Sequence, residues 1–307
     1  MNILITGASG YIGKQLLLKF FSNKSLNISI ILREHNSDLE KLSHKTFIND
    51  YKNISSLENI IESQDIILHL LGLNEDINKN DYSEYKKINI DLTYNLFKIA
   101  KLCAIKKFIF ISTIKVYGEI TNNNDFFSIN SKFNPLTLYS KSKLAAEQAL
   151  KLCLDDSDTN LIILRLPVVY GSELNKNFYF LSKIISKNIP IPFKNVQNKR
   201  SLLNINNLYD FLLYLFHNAN CISDTFIIKD ERDLSLKEII VELSIRDSIK
   251  IKFFSFPIFL LKFLLLIIGK KNLSYKLFSS LIVDDEYTLK KTGWFPKYNF
   301  NDVNLQN

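Results

Sequence analysis

Five apolar runs punctuate the first 170 residues: NILIT, ISIILR, DIILHLL, FIFIST and LIILRLPVVY. None alternates apolar with polar residues, so each reads as a strand buried on both faces rather than one with a wet side. The segments between them, KQLLLKFF, SLENIIES, YNLFKIAKLC and SKLAAEQALKLC, carry helical periodicity. Strands joined through helices run parallel, and the right-handed crossover rule then leaves few topologies. The expected fold is α/β: a doubly wound parallel sheet of the Rossmann kind, which binds ligands beyond the carboxyl ends of its strands.

After Gly171 the rhythm breaks, and NIPIPFKNVQNKRSLLN, FFSFPIFLLKFLLLIIG and LKKTGWFPKYNF do not continue it. Residues 1–171 are expected to form the dinucleotide-type sheet domain and 172–307 a smaller C-terminal α/β substrate lobe. Part of 202–230, around FIIKD, is expected to return to the sheet. The stretch from Phe253 to Gly269 is too short to span a bilayer and is interrupted by Pro257 and Lys262. It is expected to be a buried or half-buried helix of the second lobe, with a weak membrane-surface contact as the alternative.

A composition of 47% hydrophobic and 23% charged residues describes a packed chain rather than a disordered one. The net charge of +8 comes from scattered lysines, which implies mild attraction to anionic ligands and gives no sign of nucleic acid as a partner. Cys103, Cys153 and Cys221 stand far apart, no Cys/His set has metal-ligand spacing, and no metal is expected. Strand-like sequence begins at residue 3, so a secretory leader is not expected and a cytoplasmic location is.

In ILITGASGYIGKQLL, Gly7 lets the chain turn sharply out of the first strand. Gly10 lets backbone approach a pyrophosphate, and Gly13 lets the next helix pack against the sheet. The helix N-terminus then offers free N–H groups and partial positive charge to the phosphates. The second strand ends in Arg33 and Glu34. An arginine there can stack on adenine and pair with a 2′-phosphate, favouring NADP over NAD; the other reading leaves Arg33 in solvent and gives Glu34 the ribose.

PLTLYSKSKLAAEQAL places Tyr139 and Lys143 four residues apart at a helix start, on one face. A nearby ammonium favours the phenolate, which would make Tyr139 a general acid or base. Thr113, closing the strand FIFIST, precedes Tyr139 by 26 residues.

TGASGYIG, DIILHLLG, STIKVYG, YSKSK and RLPVVYG together resemble the extended short-chain dehydrogenase/reductase family, in that family's order and over essentially the whole chain. The resemblance implies that Tyr139 and Lys143 are catalytic, that Thr113 holds the substrate oxygen with Ser112 able to share the role, and that Lys143 also bonds the nicotinamide ribose. It implies cofactor contacts from Gly7, Gly10, Tyr11, Ile12 and Gly13, from Arg33 and Asp50 near adenine, and from Leu70, Leu71 and Gly72. Asn89 is implied as a support for the site, with Pro167 and Val169 completing the cofactor lining. His69 is read as a packed strand-end histidine. A homodimer through two helices in a four-helix bundle is usual in such proteins.

NKNFYF, KRSLLNINNLYDF and IVDDEYTLKKTGWFP look like nucleotide-sugar-binding elements of this family. They imply a UDP-sugar substrate touched by Asn177 and Asp284, with Arg200 on its diphosphate. The 4,6-dehydratases of the family place an Asp–Glu pair after the threonine; Ile114 and Lys115 stand here, which leaves a reductase or an epimerase. STIKVYGE, RSLLNINNL and VDDEYTLKKTGW most resemble bacterial reductases of UDP-2-acetamido-2,6-dideoxy-4-hexulose. The implied products are UDP-N-acetylquinovosamine or its fucosamine epimer, for surface polysaccharide such as O-antigen. Lys115 would orient the sugar, contact a phosphate or face solvent. Val168 stands where many relatives have asparagine, and Ser140 where glycine often follows the tyrosine. The rivals are a UDP-hexose 4-epimerase that keeps its NAD, a noncatalytic cofactor-sensing scaffold, and a reductase of small carbonyl compounds.

Overall fold

The computed structural model describes residues 1–51, 55–74, 81–122, 125–154, 158–171, 176–219, 222–269 and 271–302. Its strands are β1 (Asn2–Thr6), β2 (Asn27–Leu32), β3 (Lys45–Ile48), β4 (Ile66–His69), β5 (Lys107–Thr113), β6 (Asn160–Leu166), β7 (Val168–Tyr170), β8 (Leu202–Asn204) and β9 (Asp224–Ile227). In the first half the helices are α1 (Tyr11–Phe21), α2 (Ser37–Glu40), α3 (Ser55–Ile61), α4 (Tyr82–Tyr85), α5 (Leu92–Leu102) and α6 (Leu138–Leu152). The second half adds α7 (Lys176–Ser186), α8 (Ile205–His217), α9 (Leu236–Arg246), α10 (Ile258–Ile267), α11 (Lys271–Phe278) and α12 (Glu286–Thr292).

Seven strands form one parallel sheet in the order β3-β2-β1-β4-β5-β6-β9, the doubly wound α/β fold expected from the sequence. The order reverses between β1 and β4, which opens a crevice beyond their carboxyl ends. Each apolar run is needed on both faces. Ile3 and Ile5 of β1, Ile109 and Ile111 of β5, and Ile162 and Leu164 of β6 join a core completed by α1 and α8. Their alternates Leu4, Phe108, Phe110, Leu161 and Ile163 join the opposite core with α3, α5 and α6. The period-two geometry of a strand divides one greasy run between two cores.

LIILRLPVVY, read as one strand, is two. Pro167 lacks the N–H that a ladder needs, so β6 ends at Leu166 and β7 leaves the sheet to pair in parallel with β8. Around β7 and β8 a further core gathers Phe178, Leu181 and Ile185 of α7 with Ile239, Ile240 and Leu243 of α9. The 253–269 stretch forms α10, of which Ile258, Leu261 and Leu265 are half-buried against that core while no residue of the helix is fully buried. Among the described residues no helix is long and apolar enough to cross a membrane, and no group of three or more His, Cys, Asp or Glu could hold a metal ion. Cys103 and Cys153 are free thiols, and Cys221 lies outside the described residues.

Candidate active site

The glycine loop sits at the β1 edge of the crevice. Gly7 has φ 76°, and a Cβ there would stand 2.6 Å from the Leu71 backbone nitrogen, so the strand-end turn and the close pass of the β4 exit loop both demand glycine. A Cβ on Gly13 would collide with the Gly7 carbonyl and lie 2.8 Å from Ala8 Cα. Gly10 is exposed and forms the N-cap of α1 with no side chain closing the helix end; its own N–H donates to Gly7 O at 3.0 Å. Tyr11 and Ile12, half-buried, open the helix. An uncapped helix N-terminus behind a side-chain-free loop fits the pyrophosphate of a dinucleotide. Arg33 and Asp50 are exposed beyond β2 and β3, on the side where the adenine end would lie.

Across the crevice, Leu70 and Leu71 are half-buried and Gly72 is exposed as the chain leaves β4, with Leu70 N still donating to Thr6 O at 3.1 Å. Asn89 sits in a π-helical turn (Lys86–Asp91) between α4 and α5, a form concentrated at functional sites. Its Oδ1 accepts from Leu73 N at 2.7 Å, and its Nδ2 donates to Leu73 O at 3.1 Å and to Ser142 Oγ at 2.9 Å. Asn89 thus ties the β4 exit loop to α6. His69 is fully buried between Thr6 Oγ1 at 2.7 Å and Thr93 Oγ1 at 2.9 Å. Burial, helped by the Lys143 charge, pushes its pKa down to about 3, so it is a neutral packing residue.

Helix α6 supplies the Tyr–Lys pair. Thr137 caps it through a capping box with Ser140, which fixes where the first turn begins. Ser140, which stands in place of glycine, is fully buried in that box. Tyr139 is half-buried in the first turn, and Lys143 lies one turn on, 4% exposed, with Nζ 3.9 Å from the centroid of Phe110. Burial pulls the Lys143 pKa down to about 7, against the opposing pull of Glu147. Lys143 Nζ is also 4.0 Å from where a Cβ on Gly72 would stand, so the ammonium reaches the same crevice wall as the β4 exit loop.

Thr113 ends β5, 7% exposed, and its Oγ1 accepts from Lys115 N at 3.3 Å. Ser112, its neighbour, is engaged elsewhere: its hydroxyl donates to Glu147. Glu147 is 1% exposed and takes Arg165 Nη2 at 2.6 Å and Nε at 3.2 and 3.1 Å, while Arg165 Nη1 donates to the Tyr117 hydroxyl. Burial pulls the Arg165 pKa down, yet the Glu147 hydrogen bonds and charge carry it above its usual value. The sequence reading missed this Ser112–Glu147–Arg165–Tyr117 network. A signal was present, since an arginine inside a strand buried on both faces needs a buried anionic partner.

The substrate-side residues are more dispersed. Lys115 pairs with Glu119 at 3.1 Å. Arg200 is half-buried, its Nη1 donating to the carbonyls of Lys276 and Ser279 at 3.2 Å each, at the end of α11. Asp284 is half-buried and accepts from Glu286 N at 3.1 Å. Pro167 and Val169 are buried at the β6–β7 break. Asn177 falls in α7, and its side chain lies outside the described residues.

The chain is similar to known proteins in sequence and in fold. Residues 3–226 match the model of the NAD dependent epimerase/dehydratase family. The chain is 29% identical over 299 residues to a UDP-glucose 4-epimerase of Vibrio cholerae, covering 96% of this chain and 90% of that one. It is 25% identical over 244 residues to the N-acetyl-alpha-D-glucosaminyl-diphospho-ditrans,octacis-undecaprenol 4-epimerase of Escherichia coli O157:H7, covering 79% and 71%. In fold it is similar to the UDP-glucuronic acid 4-epimerase of Bacillus cereus, solved with UDP-glucuronic acid and NAD, at TM-score 0.76 and 21% identity over 99% of this chain and 96% of that one. From the glycine loop to the last sheet strand, the chain belongs to the NAD dependent epimerase/dehydratase family.

Proposed function

We propose that this enzyme is a UDP-hexose 4-epimerase, acting on glucose- or N-acetylglucosamine-type sugars, with NAD as a retained cofactor. What carries the reading is the likeness to the Vibrio cholerae epimerase, which runs over 96% of this chain. It favours the epimerase over the C4-reductase that the STIKVYGE, RSLLNINNL and VDDEYTLKKTGW segments suggest, and the same Tyr139, Lys143 and Thr113 would serve either reaction. Ile114 and Lys115 leave no carboxylate pair for the elimination a dehydratase performs. The Bacillus cereus neighbour was solved with NAD, which supports NAD over NADP here.

In this reading Tyr139 takes the proton from the sugar C4 hydroxyl and later returns it, while the Thr113 hydroxyl steadies the same oxygen. Lys143, held in an apolar wall, places positive charge beside the phenol and lowers the cost of its phenolate. Bound NAD supplies a reversible hydride acceptor for C4. Gly10 leaves room for its pyrophosphate while Gly7 and Gly13 let the turn and α1 pack tightly behind it, and Asn89 keeps the β4 exit loop in register with α6.

A second reading has one observation in its favour. The Escherichia coli relative is named for a sugar carried on a polyprenyl diphosphate, and α10 turns apolar side chains outward in the same lobe as Arg200. The deciding experiment incubates the purified enzyme, without added cofactor, with UDP-glucose, UDP-N-acetylglucosamine and the undecaprenyl-diphosphate sugar, and follows C4 inversion by NMR. NAD released on acid denaturation, with inversion lost in Tyr139→Phe, supports the epimerase. NAD(P)H oxidation by UDP-4-keto-6-deoxy-N-acetylglucosamine without inversion of any of the three overturns it.

A further inference from the structure

We propose that α10 docks the protein on an anionic membrane surface, lying in the interface rather than crossing it. The helix uses one face for the protein, where Ile258, Leu261 and Leu265 pack on the core between α7 and α9. On its other face Phe259, Phe263 and Ile267, spaced four residues apart, are 69%, 57% and 65% exposed. Leu264, Leu266 and Ile268 extend the same greasy surface at 52%, 54% and 60%. A contiguous exposed apolar face of this kind marks an interaction site rather than ordinary surface.

Charge identifies the occupant. Between Asp247 and Asp284 the sequence carries six lysines, Lys250, Lys252, Lys262, Lys270, Lys271 and Lys276, and no carboxylate. Lys250, Lys252, Lys262 and Lys276 are exposed. A second copy meeting this face across a two-fold axis would bring like charge onto like charge, because such an interface presents the same patch from both sides. Anionic headgroups meet the same lysines with attraction while the acyl boundary takes the phenylalanines. The ten residues of α10 rise about 15 Å, half the thickness of a hydrocarbon core. Gly269, at φ 71°, ends the helical path there, so the helix is too short to cross and lies in the interface. The inference stands whichever sugar the enzyme turns over.

The test is flotation of the full-length protein with vesicles of phosphatidylcholine alone and of equal parts phosphatidylcholine and phosphatidylglycerol. Wild type is expected to float with the anionic vesicles, to stay behind with the neutral ones, and to be released as salt rises. Phe259→Ser combined with Phe263→Ser should lower partitioning at least about tenfold. Lys262→Gln, which removes one exposed charge, should lower it about fivefold. Unchanged circular dichroism and unchanged mass by light scattering in both variants would show that only the membrane contact was lost. Failure of wild type to float, or equal flotation of the double variant, overturns the proposal. So does a wild-type dimer that the double variant converts to monomer, which would assign the face to a second copy.

Discussion

The buried pair behind the active site gives the sharpest test of how this site is built. Glu147 and Arg165 are 1% and 2% exposed, and the carboxylate takes three of its contacts from one guanidinium and a fourth from Ser112. Glu147→Gln keeps the shape and removes the charge, leaving a guanidinium inside the core with an amide oxygen and the Tyr117 hydroxyl. Breaking a buried pair costs about 3 to 5 kcal/mol, and the surviving amide oxygen places this change near about 3. With about 2.1 cal/mol/K per residue, 307 residues give an unfolding entropy of about 0.6 kcal/mol/K, so the melting temperature should fall by about 5 °C. The Lys143 pKa, which Glu147 raises against burial, should fall further, and activity at neutral pH should fall with it. The double variant Glu147→Leu with Arg165→Met should recover most of the stability without the activity, since two apolar groups replace a satisfied pair at little cost. Thermal unfolding by circular dichroism decides the matter. A drop below about 1 °C in Glu147→Gln, the range of an exposed pair, would refute the reasoning.

Three further outcomes follow from single side chains. Lys143 has a folded pKa near 7 against an ordinary 10.5, so between those values the unfolded chain binds more protons and stability rises with pH. Lys143→Met should abolish that rise in a urea-unfolding series and cut kcat by about 100-fold or more. His69 is depressed to about 3 from 6.5, so its contribution is lost as pH falls from 6.5 towards 3; His69→Gln should show a shallower acid loss than wild type in melts taken through that window. Gly13→Ala forces a methyl against the Gly7 carbonyl, and should cost about 1 to 3 kcal/mol and leave protein purified with little bound NAD, measured after acid release.

The sheet was legible because a parallel strand covered on both sides is apolar through its middle, as β1, β4, β5 and β6 are, with polar residues such as His69, Ser112, Thr113 and Arg165 at the carboxyl ends. LIILRLPVVY was misread at its proline, where continuous hydrophobicity outweighed the missing N–H, although the same residue makes the break between β6 and β7. The glycine loop and the Tyr139–Lys143 spacing are local patterns, readable without tertiary information. Glu147, Arg165, Tyr117 and Ser112 come from two strands, a helix and a loop, and meet only when the sheet is assembled. Periodicity also fails for α10: a helix apolar everywhere but Lys262 carries no clear stripe to say which side is inward, and only packing shows that half of it is left outside.

Tyr139, Lys143 and Glu147 fall at i, i+4 and i+8 along α6, so chemistry and support share one stripe of one helix. That stripe faces β5, where the Phe110 ring lies beside Lys143 and the Ser112 hydroxyl bonds Glu147. A carboxylate one turn from a buried ammonium would ordinarily return the lysine to full charge. Here it does so only in part, because burial lowers the Lys143 pKa by more than the Glu147 charge raises it. Glu147 therefore serves two neighbours at once: it satisfies Arg165 and Ser112 inside the core, and its charge opposes the burial that pulls the Lys143 pKa down to about 7.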